Sequence, residues 1–155
     1  MSATKLSAHF SLAEMLRSET AIRHDVDMTP PDSVLANLER LANEVLEPIR
    51  AAAMCSIHIN SGYRPMELNR LVGGSSNSDH IYGRAADIIA PDLELQAFAR
   101  IARHACESLP VAKLLVEFGQ WLHVSIEPLG SLPRREFLVA SREAGKTVYR
   151  PWEVA

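Results

Sequence analysis

Two histidines and one aspartate, far apart in the chain, constrain its fold more than any other feature. One histidine and the aspartate lie in Ser78-Asp79-His80-Ile81-Tyr82-Gly83-Arg84-Ala85-Ala86-Asp87, and the other histidine in Trp121-Leu122-His123-Val124-Ser125. Two imidazoles and one carboxylate suit a borderline cation such as Zn²⁺. Three protein ligands leave the fourth tetrahedral position open, which is what distinguishes a catalytic zinc site from a closed structural one. His80 and Asp87 are too distant to share a helical face as an H-E-x-x-H pair does. The fold has to bring a loop, a strand and a second strand to one point.

Strand parity sharpens that requirement. Alternation puts Trp121, His123 and Ser125 on one face and Leu122, Val124 and Ile126 on the other, and it groups Asp87 with Ala85 and Ile89. A carboxylate among such small or apolar neighbours is costly to bury alone, and a cation compensates it. Taken singly, Asp87 also reads as a strand-end turn carboxylate. His80, after the polar run Ser-Ser-Asn-Ser-Asp, reads as a loop histidine near the surface. Gly83 and Ala85 suit a backbone passing close to a metal, and equally an ordinary turn.

The surrounding elements follow from local signals. Ser11 with Glu14 forms a capping box, and Phe10 with Met15 a hydrophobic staple, so a short helix starts at Ser11. A longer helix begins at Asp32 or Ser33 and carries Leu35, Leu38, Leu41, Val45 and Ile49, with Pro48 expected to kink or end it. Ile57 to Asn60 alternates as a strand, Pro65 is placed as the first residue of a short helix carrying Leu68, and Gly73-Gly74 stops that helix. Arg84 to Ala90 is a strand. Asp92 is placed to cap a helix with Leu95, Phe98, Ala102 and Leu109, closed by Pro110. Lys113 to Glu117 and Trp121 to Ile126 form a hairpin across Phe118-Gly119-Gln120, and Arg135 to Ala140 is a further strand. These elements predict an α+β fold, a single domain over residues 1–155 with a small antiparallel sheet flanked by helices.

Composition narrows the function classes. A length of 155 residues is about one domain, and 47% apolar with 23% charged residues is ordinary for a globular chain. The net charge of -3 without a basic run speaks against a nucleic-acid partner. The N-terminal stretch has no continuous apolar core and no segment reaches the length of a membrane span, so synthesis in the cytoplasm without a signal peptide and no membrane insertion are expected. Cys55 and Cys106 read as isolated buried thiols, consistent with a reducing compartment. No repeat, low-complexity tract or linker is visible.

The motif Ser-x-His-x-x-Gly-x-Ala-x-Asp at residues 78–87, with Glu117 and Trp-x-His ending at His123, resembles the zinc D-Ala-D-Ala carboxypeptidase family. That family includes phage endolysins and shares its fold with the hedgehog signalling domain. The resemblance extends to His9-Phe10-Ser11-Leu12-Ala13-Glu14, Val45-Leu46-Glu47-Pro48-Ile49-Arg50, Asn60-Ser61-Gly62-Tyr63-Arg64-Pro65, Leu68-Asn69 and Val72-Gly73-Gly74. It implies a monomeric, single-domain peptidase with Zn²⁺ on His80, Asp87 and His123, acting on peptidoglycan stem peptides. It also implies a lysin-like route to the wall through holin-type release.

The reaction needs a base to take a proton from water and an acid to return it to the leaving amine. Glu117 leads as the candidate, since a tight hairpin sets it across from Trp121 or His123. Several relatives place the carboxylate three residues before the last histidine, where this chain has Gln120, so either Glu117 serves or hydrolysis is impaired. Arg64, after the Ser61-Gly62-Tyr63 turn, is suited to a substrate carboxylate or an oxyanion, and alternatively to a structural salt bridge. Ser78, Tyr82 and Trp121 complete the expected substrate side. A non-catalytic zinc-stabilised wall-binding module, or a phage structural component, is the alternative class.

Overall fold

Ser11 opens the first helix of the computed structural model, which describes residues 4–153. Its hydroxyl accepts from the Glu14 N–H at 3.3 Å and the Glu14 carboxylate accepts from the Ser11 N–H at 2.7 Å, so the capping box is complete. The resulting helix α1 (Leu12–Leu16) is short, and Phe10 and Met15 on either side of its cap are buried in the main core. A second short helix, α2 (Glu19–Arg23), begins under the Ser18 cap. Residues 1–3 of the N-terminal stretch, and residues 154–155 within the expected domain limits, lie outside the described residues.

Pro48 neither ends the long helix nor breaks it. Helix α3 (Asp32–Leu41) runs through a π-helical turn (Ala42–Leu46) directly into α4 (Glu47–Ala53), with Pro48 in the first turn of α4. The Glu47 N–H bonds Ala42 O, five residues back. This wider turn accommodates a proline that has no N–H to donate. Leu38, Leu41, Val45 and Ile49 are wholly buried, as their spacing predicts, while Leu35 packs at the margin. Pro65 caps α5 (Met66–Leu71) from just outside it, and Glu94, not Asp92, precedes α6 (Leu95–Cys106).

The sheet is larger than the small antiparallel one expected. Six strands, β1 (His58–Ser61), β2 (Ala85–Ile89), β3 (Val111–Glu117), β4 (Trp121–Ile126), β5 (Glu136–Glu143) and β6 (Lys146–Pro151), lie in the order β1-β2-β4-β3-β5-β6. All pairs are antiparallel except β3 with β5, because the chain leaves β4 and returns beside the far edge of β3. The class is α+β as expected, but the sheet is mixed and β6 is an addition to the sequence reading. Ile59, Ala86, Ile88, Leu114, Val116, Leu122, Val124 and Ile126 form one buried cluster with α3, α4 and α6. The helices therefore cover one face of the sheet and leave the other face of β2, β4 and β3 to a different use.

Candidate metal centre and its cleft

Register delivers the three ligand residues. Asp87 in β2 is directly opposite His123 in β4, and His123 is opposite Leu115 in β3. Residues opposite one another share a face, so Asp87 and His123 meet on the side away from the helices. His80 arrives from a 3₁₀ turn (Asp79–Tyr82) between α5 and β2. Ser78 caps that turn, its hydroxyl accepting from the His80 N–H at 3.3 Å. Gly83 closes it at φ +71°, and a Cβ there would meet Val34 at 2.8 Å.

His80 is 1% exposed, which corrects its reading as a surface-loop residue. The polar run before it hides the reason: the turn folds inward because Nδ1 bonds Gly62 O at 2.7 Å. Gly62 can present that carbonyl only without a side chain, since a Cβ there would lie 2.6 Å from Met15 O. Helix α1 and the metal candidate are thus coupled through one glycine.

The donor atoms of His80, Asp87 and His123 lie within 4.8 Å of one another. Asp87 Oδ1 is 3.3 Å from His80 Nε2 and 3.0 Å from His123 Nδ1. A carbonyl oxygen only accepts, so His80 Nδ1 carries the proton toward Gly62. Burial pushes the His80 pKa down, favouring the neutral ring even though Asp87 pulls the other way. Its Nε2 lone pair then faces a carboxylate oxygen. Two buried acceptors facing each other is an arrangement that a cation satisfies, and the donor set fits zinc. Burial also opposes ionisation of Asp87, but His80 and His123 overcome it and hold the carboxyl well below its ordinary range. For His123, burial opposes the charge while Asp87 and Glu117 prevail and raise its pKa.

Glu117 lies opposite Trp121, and its Oε1 is 3.6 Å from His123 Nδ1. Burial raises its pKa and the neighbouring Asp87 adds to this, against the opposing pull of His123 and Arg64. Gln120 is exposed in the hairpin turn and does not line the cleft. Arg64 does line it. Its Nη2 donates to Ser78 Oγ at 3.4 Å, its Nε is buried without a partner, and it joins no ion pair among the described residues. Burial lowers its pKa, against the opposing effect of Asp87 and Glu117.

His80, Asp87, His123, Glu117 and Arg64 open on one cleft of about 780 Å³. Ser78 and Trp121 belong to its lining, with the Trp121 ring edge-on to Phe118 at 5.9 Å. Tyr82 does not: it is 44% exposed and holds the Arg84 guanidinium over its ring at 4.6 Å. The far side of the cleft carries Lys113, Leu115, Leu138, Arg142, Thr147 and Tyr149, none of them singled out from the sequence. Leu115 shares the parity of Glu117 and could have been found that way. Thr147 and Tyr149 could not, since their place in the cleft follows from the pairing of β6 with β5 rather than from any local pattern.

The Peptidase M15 family profile matches residues 8–125, well over half of the chain and inclusive of Arg64, His80, Asp87, Glu117 and His123. The zinc D-Ala-D-Ala carboxypeptidase of Streptomyces albus G is 46% identical over 48 residues, 31% of this chain and 19% of that protein. This chain thus covers under a fifth of that relative's length. The breadth of the family match, rather than that short segment, assigns the chain, which belongs to the peptidase M15 family.

Proposed function

We propose that this protein is a zinc peptidase that hydrolyses an amide in the stem peptides of bacterial peptidoglycan. The observation that carries the reading is the convergence in one cleft of a three-residue metal site, the partly buried carboxyl of Glu117 and the guanidinium of Arg64, which joins no ion pair among the described residues. His80, Asp87 and His123 would hold the ion, which when bound supplies a Lewis acid that polarises a carbonyl and acidifies water. Glu117, its pKa raised above the ordinary carboxylate value by burial, takes a proton from water and returns it to the leaving amine. Arg64 binds a substrate carboxylate or the developing oxyanion, with Ser78 steadying its guanidinium. Trp121 forms part of the substrate wall. Gln120, exposed and untitratable, has no part in the proton transfers.

A lysin made in the cytoplasm and released to the wall is the setting we favour. Its support is that Cys55 and Cys106 are unpaired thiols, as suits a chain folded in a reducing compartment. The test is digestion of purified peptidoglycan by the zinc-loaded protein, with the released fragments identified by mass. Free D-Ala marks a terminal cut and larger stem fragments mark an interior one. A protein that binds zinc and the wall polymer yet releases nothing is a binding module, and the peptidase reading then fails.

A further inference from the structure

The far wall of the cleft is built by a part of the chain that the family profile does not reach. That profile ends at residue 125, whereas Leu138, Arg142, Thr147 and Tyr149 lie in β5 and β6. Their placement follows from register. Glu117 is opposite Trp121 on one side and beside Ala140 on the other, and Ala140 is opposite Tyr149. Across the open face the row therefore reads Trp121, Glu117, Ala140, Tyr149. Neighbouring strands are about 4.8 Å apart, so Tyr149 stands two strands from Glu117 on the same face. Ala140 contributes only a methyl group between them, while Tyr149 is 59% exposed. Two aromatic side chains thus flank a low stretch of the row that includes the proposed base.

Charge follows the same division. Arg142, two residues beyond Ala140, shares its face, and its guanidinium lies 5.6 Å from the Phe118 ring centre. It joins no ion pair among the described residues, although its neighbour Glu143 is paired with Arg150. Arg64 follows β1 and Arg142 lies in β5, and in the strand order Asp87 of β2 and Glu117 of β3 come between them. An acidic peptide can meet a guanidinium at either side while its own carboxylates stay clear of those in the floor.

The hairpin is also held in place. The Phe118 N–H bonds Ala140 O at 2.9 Å, and the Trp152 N–H bonds Phe137 O at 3.0 Å. From the helix side, Arg103 of α6 stacks over Phe137 at 4.8 Å and over Trp152 at 5.2 Å. A wall anchored on both faces can select among substrates, because its side chains do not need ordering at each encounter.

We propose that the β5–β6 hairpin is the substrate-selecting wall of this peptidase, in which Tyr149 packs against the peptide and Arg142 binds a peptide carboxylate across the cleft from Arg64. This rests on the zinc-peptidase reading above. The test pairs an acidic stem peptide with the same peptide carrying amidated carboxylates. Hydrolysis is measured in the zinc-loaded parent, Arg142→Ala, Arg142→Lys and Tyr149→Ala, and binding by calorimetry in each combined with Glu117→Gln. Zinc content and the melting transition check that each variant is folded.

Arg142→Ala should raise KM and Kd for the acidic peptide about tenfold or more, with a smaller change in kcat. It should leave the amidated peptide almost unaffected, so that the parent's preference for the acid shrinks by that same factor, leaving only the part that Arg64 supplies. Arg142→Lys should recover part of that preference, and Tyr149→Ala should weaken both peptides alike. If the parent cleaves the peptides and a folded Arg142→Ala variant keeps the full preference, the hairpin's role is refuted while the peptidase reading stands. If the parent neither cleaves nor binds either peptide, the peptidase reading fails and the hairpin's role with it.

Discussion

Along β4, Leu122, Val124 and Ile126 turn toward the helices and are completely buried, whereas Trp121 and His123, between and before them, open on the cleft. β2 repeats the division, with Ala86 and Ile88 in the core and Asp87 between them on the ligand side. The same backbone thus carries two different kinds of specification. The helix-covered face depends on apolar area and volume, which tolerate small shifts. The cleft face depends on the positions of individual donor and acceptor atoms. It also leaves polar groups unmet: Arg64 Nε, Trp121 Nε1 and Ser125 Oγ are buried without partners. A one-residue slip in pairing would exchange the two faces outright, so the bulk apolar pattern enforces the register that the metal site needs.

The largest expected effect breaks the cleft face alone. His123→Ala should lose most of its zinc and essentially all hydrolysis, read by metal analysis after purification without chelator and by peptidoglycan digestion. The apolar cluster contains none of the ligand residues, so far-UV circular dichroism should remain that of the parent. Full zinc content with both His80 and His123 replaced would sink the metal assignment. Next in size, Glu117→Gln preserves shape but removes the titratable oxygen. Zinc should stay bound while kcat falls by about two to four orders of magnitude. A variant nearly as active as the parent would mean that another group moves the proton.

The converse substitution tests the independence of the helix face. Leu122→Ala, in the residue adjoining His123, should cost about 2–5 kcal/mol of stability in denaturant melts of the metal-free protein. Zinc stoichiometry of the folded fraction should be unchanged, since Leu122 points away from the ligands. Loss of zinc from a still-folded Leu122→Ala protein would show that packing on one face tunes ligand geometry on the other.

How much of this division was legible in sequence depends on whether its cause was local. The Ser11 capping box, the spacing from Leu38 to Ile49 and the alternation of β4 are carried by neighbouring residues, and the structure shows each of them. The Phe118-Gly119-Gln120 connection was equally visible. The β5–β6 hairpin was not, because its turn passes through Ala144 and Gly145, both at positive φ. Asn or Asp usually announces such a turn, and alanine does not. The parallel pairing of β3 with β5 depends on a return path that no strand pattern encodes. His80 looked solvated because its burial follows from Gly62, eighteen positions away, packing on Met15. Pro48 looked like a stop because the π turn that accommodates it is a matter of hydrogen-bond spacing rather than residue type. Residue types and strand parity were enough to nominate the ligands and Glu117. The far wall of the cleft required the sheet order.

The smallest expected effect concerns what the cleft face costs the metal-free fold. Burial raises the Glu117 pKa above its ordinary value, with Asp87 adding to it. The folded state therefore binds the proton more tightly than the unfolded state does. Below the unfolded value both states are protonated and the side chain carries no penalty. As pH rises from the unfolded value to the raised folded value, the unfolded chain gives up its proton first and stability falls, levelling off once the native carboxylate has ionised as well. Glu117→Gln removes that titration. In the metal-free protein the variant should melt above the parent at pH 7, and the difference should close as pH is lowered below 4.5, the ordinary glutamate value. A metal-free Glu117→Gln protein less stable than the parent at pH 7, with the gap closing in acid, would give the carboxylate a stabilising role through His123 and reverse the sign assigned to this face. The expected sign, set beside the large loss for Leu122→Ala, would show one strand pair holding its stability on one face and giving up a little of it on the other for a proton acceptor.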